Sequence, residues 1–144
     1  MKMYKIGYTT GVFDLFHIGH LNILKRAKES CQYLIVGIST DEVVLQYKNR
    51  PPMIPFKERM EIVRSIKYVD QVVAQNNMDK MEAWKQLQFN VMFHGDDWKG
   101  SPMYRKYQRE FEKVHVDLIF LSYTSGTSST KIKEIIDNGV LAVI

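Results

Sequence analysis

The chain is predicted to fold as one α/β domain spanning residues 1–144, three layers thick (α/β/α), with a five-stranded parallel sheet at its centre. Three observations predict this. Short apolar runs alternate with stretches of helical period from one end of the chain to the other, which is the pattern of a parallel sheet with helices on both faces. The run Tyr33 to Ile38 is continuously apolar rather than alternating, as suits a strand covered on both sides. The length of 144 residues suits one domain and lets a chain bury about 68–70% of its unfolded surface without staples.

The elements follow in order. Tyr4 to Tyr8 forms a first strand. Leu21, Leu24 and Ala27 recur at helical spacing between His20 and Ser30, with Lys25, Arg26 and Lys28 between them. Tyr33 to Ile38 is a continuous apolar run. Pro51, Pro52 and Pro55 mark an irregular loop, and Phe56, Met60, Val63 and Ile66 then line one face of a helix. Val69 to Ala74 reads as a strand, Asp79 to Leu87 as a helix, Val91 to His94 as a strand and Tyr104 to Glu112 as a helix. Val116 to Leu121 gives the last strand and Ser129 to Asn138 the last helix. In such a Rossmann-like arrangement ligands bind past the carboxyl ends of the strands, so chemistry is expected after Tyr8, Ile38, His94 and Leu121.

Composition narrows the function. With 45% hydrophobic and 25% charged residues the chain is neither disordered nor membrane-spanning, and its opening residues lack the apolar core of a signal peptide. A single cysteine, Cys31, forbids an internal disulfide and suits a cytoplasmic protein. The net charge of +4 lies wholly in residues 1–72, which hold 11 basic and 7 acidic side chains. No basic run or basic–aromatic pattern accompanies it, so a small anion rather than nucleic acid is the expected partner.

The loop after the first strand reads Thr10-Gly11-Val12-Phe13-Asp14-Leu15-Phe16-His17-Ile18-Gly19-His20. Two histidines flank a glycine where a helix should start. Gly19 permits close backbone approach, and the helix start offers unpaired N–H groups and a positive dipole end. No acidic residue appears between Asp14 and Glu29, leaving the negative charge such a start prefers to a ligand. Metal ligation and purely structural histidines compete with this anion reading, but no third Cys or His lies nearby. The last loop, Tyr123 to Thr130, carries six hydroxyl-bearing Ser and Thr residues at 124, 125 and 127–130 around Gly126, more than one helix cap needs. The helix behind it opens with Lys131 and Lys133, against its own dipole, and a bound polyphosphate would resolve both features.

The first of these segments resembles the G-x-F-D-x-x-H-x-G-H signature of the cytidylyltransferases within the nucleotidyltransferase superfamily. Thr124, Gly126, Ser128, Ser129 and Thr130, followed by Lys131-Ile132-Lys133-Glu134, are similar to the family's R-T-x-G-I-S-T-[ST] end motif. Arg64 to Asp70 resembles R-Y-V-D, and His94 to Gly100 resembles the G-D-D-W segment, most like the bacterial glycerol-3-phosphate enzymes. The resemblance runs from about Lys5 to Ile136. It implies His17, His20 and Lys48 as catalytic residues, with Lys48 in the loop after Ser39-Thr40-Asp41-Glu42 and Arg50 as a competitor for its role. It implies nucleotide contacts from Thr10, Gly11, Val12, Phe13, Gly19, Gly95, Asp97, Tyr123, Thr124, Gly126, Ser128, Ser129 and Thr130, and acceptor contacts from Lys67 and Asp14. Arg59 stands in register as a ligand or an ion-pair anchor. Val12 replaces a frequent Thr, Lys67 a frequent Arg, and Tyr123 the Arg of the end motif.

The implied reaction is attack of an acceptor phosphate on the α-phosphorus of CTP with release of pyrophosphate, Mg²⁺ arriving with the nucleotide and no protein metal site. The implied acceptor is glycerol 3-phosphate, giving CDP-glycerol for a surface polymer such as a teichoic acid. Phosphocholine, phosphoethanolamine and ribitol 5-phosphate are the alternatives, and a catalytically silent nucleotide-binding module is the reading from another class. The family's habit implies a homodimer.

Overall fold

The computed structural model describes residues 3–96, 99–122 and 128–139. In these residues strands and helices alternate as β1 (Tyr4–Gly11), α1 (Ile18–Glu29), β2 (Cys31–Ser39), α2 (Asp41–Lys48), α3 (Phe56–Arg64), β3 (Gln71–Gln75), α4 (Lys80–Leu87), β4 (Val91–Gly95), α5 (Pro102–Lys113), β5 (Asp117–Leu121) and α6 (Ser129–Asp137). The strands form one five-stranded sheet in the order β3-β2-β1-β4-β5, and every pairing is parallel. The chain builds outward from β1 through β2 to β3, then returns to lay β4 on the other side of β1. The strand order therefore reverses between β1 and β4, which is where an open α/β sheet forms its ligand crevice.

Each face of the sheet carries its own apolar cluster. Leu24 and Ala27 of α1 and Val63 of α3 pack on Leu34, Val36, Ile38, Val91 and Phe93. On the opposite face Phe111 of α5 and Trp84 and Leu87 of α4 meet Tyr8, Ile35, Phe89 and Met92. Two-sided burial is why Leu34 to Ile38 of β2 and Val91 to Phe93 of β4 carry no polar side chain. Gly7 makes the close packing at the centre: a Cβ there would lie 2.8 Å from Cys31 Sγ and 2.9 Å from the Phe93 ring.

The fold follows the sequence expectation and departs from it in detail. The first strand runs on to Gly11, and the third begins at Gln71 rather than Val69. The larger difference is α2. Lys48, expected in a loop, is the last residue of an eight-residue helix. Thr40 caps that helix by accepting from the Val43 N–H at 3.2 Å, and Asn49 ends it in the left-handed conformation at φ 59°. Only Val43 and Val44 of α2 are buried, too few apolar positions to show a helical period. Among the described residues no helix is long and apolar enough to cross a membrane.

Candidate active site

The site begins with the start of α1. His17 is its N-cap, and its Nδ1 accepts the Gly19 N–H at 3.0 Å. His20, three residues on, returns its own Nδ1 to the His17 N–H at 3.2 Å. The two imidazoles thus form a capping box of the kind usually made by Ser or Thr with Glu. A ring nitrogen that accepts carries no hydrogen, so both neutral rings hold their proton on Nε2. The motif has solved two problems with one pair of side chains: Nδ1 satisfies the helix, and Nε2–H remains as a donor. The ring centroids are 3.9 Å apart, and Phe13 and Phe16 support His20 from 5.3 and 5.2 Å.

Burial keeps both rings neutral. It lowers the His17 pKa, and for His20 burial, reinforced by the neighbouring His17 and opposed by Asp14, lowers it to about 3. These histidines are therefore hydrogen-bond donors without charge when no anion is present.

Positive charge comes from elsewhere. Lys48 and Lys133 join Thr9, Thr10, Gly11, Val12, Phe13, Asp14, the two histidines, Tyr47, His94, Gly95, Ser128 and Ser129 around a cavity of about 380 Å³ at the β1–β4 crevice. Lys48 as a residue is exposed, but its ammonium has lost part of its water there. That desolvation, with Lys133 nearby, lowers its pKa, while Asp14 works in the other direction. Two ammonium groups facing one carboxylate leave an excess of positive charge in the cavity.

Asp14 organises these parts. Phe13 and Leu15, on either side of it, are left-handed at φ 54° and 51°, and the reversal carries the Asp14 carboxylate inward, where 2% of the residue is exposed. Its oxygens accept the Met53 and Ile54 N–H groups at 2.8 and 2.9 Å and lie 3.0 Å from Lys133 Nζ. Burial opposes its charge, but these donors outweigh burial and hold the carboxyl pKa below its ordinary value. Its carbonyl accepts the Ser129 hydroxyl at 2.6 Å, docking α6 onto the first loop.

Arg59 is the second organiser. It is fully buried and donates to the carbonyls of Val12 (2.7 Å), Ser39 (2.8 Å) and Ile54 (2.8 Å), while Nη2 pairs with Asp41 at 2.7 Å. It is an anchor joining β1, β2, α2 and the loop before α3. On the third strand Gln75 accepts from both Thr10 and Ser39 hydroxyls.

The structure brings most of the expected residues together. His17, His20, Lys48, Thr10, Gly11, Val12, Phe13, Gly19, Gly95, Ser128 and Ser129 line one cavity. Ser128 caps α6 through the Lys131 N–H at 3.0 Å. Thr130 is exposed and is not part of that wall. Lys67 is not brought to the cavity; it is exposed, with its ammonium 5.3 Å from the Tyr68 ring. Asp14 reaches the cavity with its carboxylate already engaged, so an acceptor contact there would have to displace a partner. Asp97, Tyr123, Thr124 and Gly126 lie outside the described residues. Sequence reasoning did not assign Lys133, Tyr47 or His94 to the site. The signal for Lys133 was present in the acid-free first turn of α6.

Known proteins share this sequence pattern and fold. The cytidylyltransferase-like family model matches residues 8–135. A glycerol-3-phosphate cytidylyltransferase of Bacillus subtilis is 38% identical over 133 residues, covering 88% of this chain and 92% of that one. A FAD synthase of Pyrococcus abyssi is 36% identical, covering 88% of this chain and 86% of the relative. In fold, the chain is similar to a lipopolysaccharide core biosynthesis protein from Thermoplasma volcanium, at a TM-score of 0.71 and 21% identity over 86% of this chain and 99% of that one. The chain belongs to the cytidylyltransferase-like family, and it is a nucleotidyltransferase.

Proposed function

We propose that the protein transfers CMP from CTP to sn-glycerol 3-phosphate, forming CDP-glycerol and pyrophosphate. The observation that carries the reading is the pair of Nε2–H donors set by the His17–His20 capping box in a cavity that also holds Lys48 and Lys133. Similarity to the B. subtilis glycerol-3-phosphate cytidylyltransferase supports this choice of acceptor.

An oxygen of the acceptor phosphate attacks the α-phosphorus, and the bond from that phosphorus to the bridging oxygen of pyrophosphate breaks. Both reactants are anions, so alignment and charge stabilisation do the catalysis, and no protein nucleophile is needed. In this reading His17 and His20 donate to the α-phosphate as its charge shifts. Lys48 and Lys133 neutralise the phosphates, and the α6 start at Ser128 and Ser129 receives the β- and γ-phosphates. Among the described residues no cluster of three His, Cys, Asp or Glu forms a metal cage, and Asp14 is engaged by Met53, Ile54 and Lys133. That donor set fits Mg²⁺ held mainly by the triphosphate and water, from which it would neutralise phosphate charge.

The FAD synthase relative favours a second reading, in which the nucleotide is ATP and the acceptor a flavin mononucleotide. Pyrophosphate release separates the two: CTP with glycerol 3-phosphate should turn over, and ATP with flavin mononucleotide should not. Turnover only with the second pair would replace the first reading. A homodimer, and a place in making a surface polymer such as a teichoic acid, belong to the same proposal; light scattering tests the dimer.

A further inference from the structure

Lys48 is delivered to the cavity by the last turn of α2, and the two ends of that helix are held differently. Its start is fixed by the Thr40 cap, by the Arg59–Asp41 pair and by buried Val43 and Val44. Towards its end Leu45 and Tyr47 are exposed, and a chain of polar side chains reaches this turn from the sheet. The Lys48 ammonium lies 5.7 Å from the centroid of the Tyr47 ring, and the Tyr47 hydroxyl hydrogen-bonds with Ser39 at the end of β2. Ser39 in turn donates to Gln75 Oε1, on the edge strand β3, at 3.2 Å. A hydroxyl has one proton, so Tyr47 is the donor to Ser39 Oγ. The Thr10 hydroxyl also donates to Gln75 Oε1, which uses both lone pairs of that oxygen.

The donors therefore run one way, from Tyr47 to Ser39 to Gln75. Ser39 and Gln75 are buried, and neither lines the cavity, whereas Tyr47 and Lys48 do. A cation is attracted to the face of an aromatic ring, so the place of the ammonium depends on the tilt of the ring beside it. A phenol tethered at its hydroxyl keeps one tilt, while an untethered ring on an exposed helix end samples several rotamers. We propose that Ser39 and Gln75 are positioning residues that hold the Tyr47 ring and, through it, the Lys48 ammonium where a phosphate binds. This rests on the reading above in which Lys48 neutralises phosphate charge.

The test is a set of double-mutant cycles read by calorimetric binding of inorganic tripolyphosphate with Mg²⁺, which needs no turnover. Ser39→Ala removes the middle link without touching the cavity wall and should weaken binding about fivefold, the worth of one uncharged hydrogen bond. On a Lys48→Met background the same change should cost less than about twofold, because the group it positions is gone. On a Lys133→Met background it should again cost about fivefold, since that ammonium comes from α6. Tyr47→Phe, which keeps the ring and loses only the tether, should behave as Ser39→Ala does. Gln75→Met should weaken binding to a similar degree and add less than about twofold to Ser39→Ala, as two links of one chain do. Unchanged binding in Ser39→Ala and Tyr47→Phe overturns the proposal. So does an equal loss on the Lys48→Met and Lys133→Met backgrounds, which is the result a general loosening of the fold would give. Wild type that fails to bind tripolyphosphate overturns both this proposal and the reading beneath it. Coupling to Lys48 in a wild type that releases pyrophosphate with neither substrate pair overturns that reading alone and leaves the positioning in place.

Discussion

In the proposed reading, His20 serves both the helix and the reaction. Its Nδ1 is committed to the His17 N–H, and its Nε2–H faces chemistry. Replacing His17 or His20 by Ala should lower kcat by 10²-fold or more, in the range of lost oxyanion donors. Circular dichroism should show the fold retained; a variant turning over near the wild-type rate removes the role. Burial also makes His20 a pH sensor of stability. Its folded pKa of about 3 lies below the ordinary 6.5, so between these values the unfolded chain binds more protons than the native one. Stability should therefore fall as pH drops from about 6.5, before the loss at Asp14, whose pKa is also lowered, begins below the usual carboxylate range. His20→Asn should flatten the melting temperature between pH 6.5 and 4.5. An unchanged slope in that variant contradicts the assignment.

At the scale of elements, two buried cations have opposite consequences. Arg59 is wholly paired, and it ties β1, β2, α2 and the loop before α3 together. Removing it as Arg59→Ala strands the three carbonyls and Asp41, which should cost about 3–5 kcal/mol in urea unfolding. Lys80, at the first position of α4, is 3% exposed, and burial lowers its pKa to about 8. Below pH 8 the native chain therefore holds a proton on a buried amine, at a cost relieved as pH rises toward 10.5. Lys80→Met should stabilise the protein by about 2 kcal/mol at pH 7, with the gain shrinking toward pH 10. A loss of stability at pH 7 would show that the amine has a favourable role.

What could be read from the sequence divides along the same lines. The sheet was legible because β2 and β4 are buried on both faces and so are apolar in continuous runs. The first loop was legible because His17, Gly19 and His20 act through local contacts within one helical turn. Lys133 was legible as a charge at the start of α6, but its pairing with Asp14 was not, because only tertiary docking of α6 joins them. The α2 helix was missed because its stability comes from Thr40, Asn49 and Arg59 rather than from an apolar stripe. Lys67 stood out by its charge and register, but the chain turns it away from the crevice toward the Tyr68 ring.

For the whole molecule, the reversal of strand order between β1 and β4 decides where all of this meets. It opens the crevice into which α1 points its start, and α2, β4 and α6 deliver Lys48, His94 and Lys133 to the same space. The sheet beneath it tolerates little change. Gly7→Ala would place a Cβ within 2.8 Å of Cys31 Sγ, and the overpacking should cost about 1–3 kcal/mol without altering the site directly. The central claim, that this crevice joins a cytidylyl group to a small phosphorylated alcohol, is tested most directly by pyrophosphate release with CTP, Mg²⁺ and glycerol 3-phosphate. The account predicts sustained release that needs both substrates and falls at least 10²-fold in His20→Ala. Absence of release with this pair, alongside release from ATP and flavin mononucleotide, would contradict it.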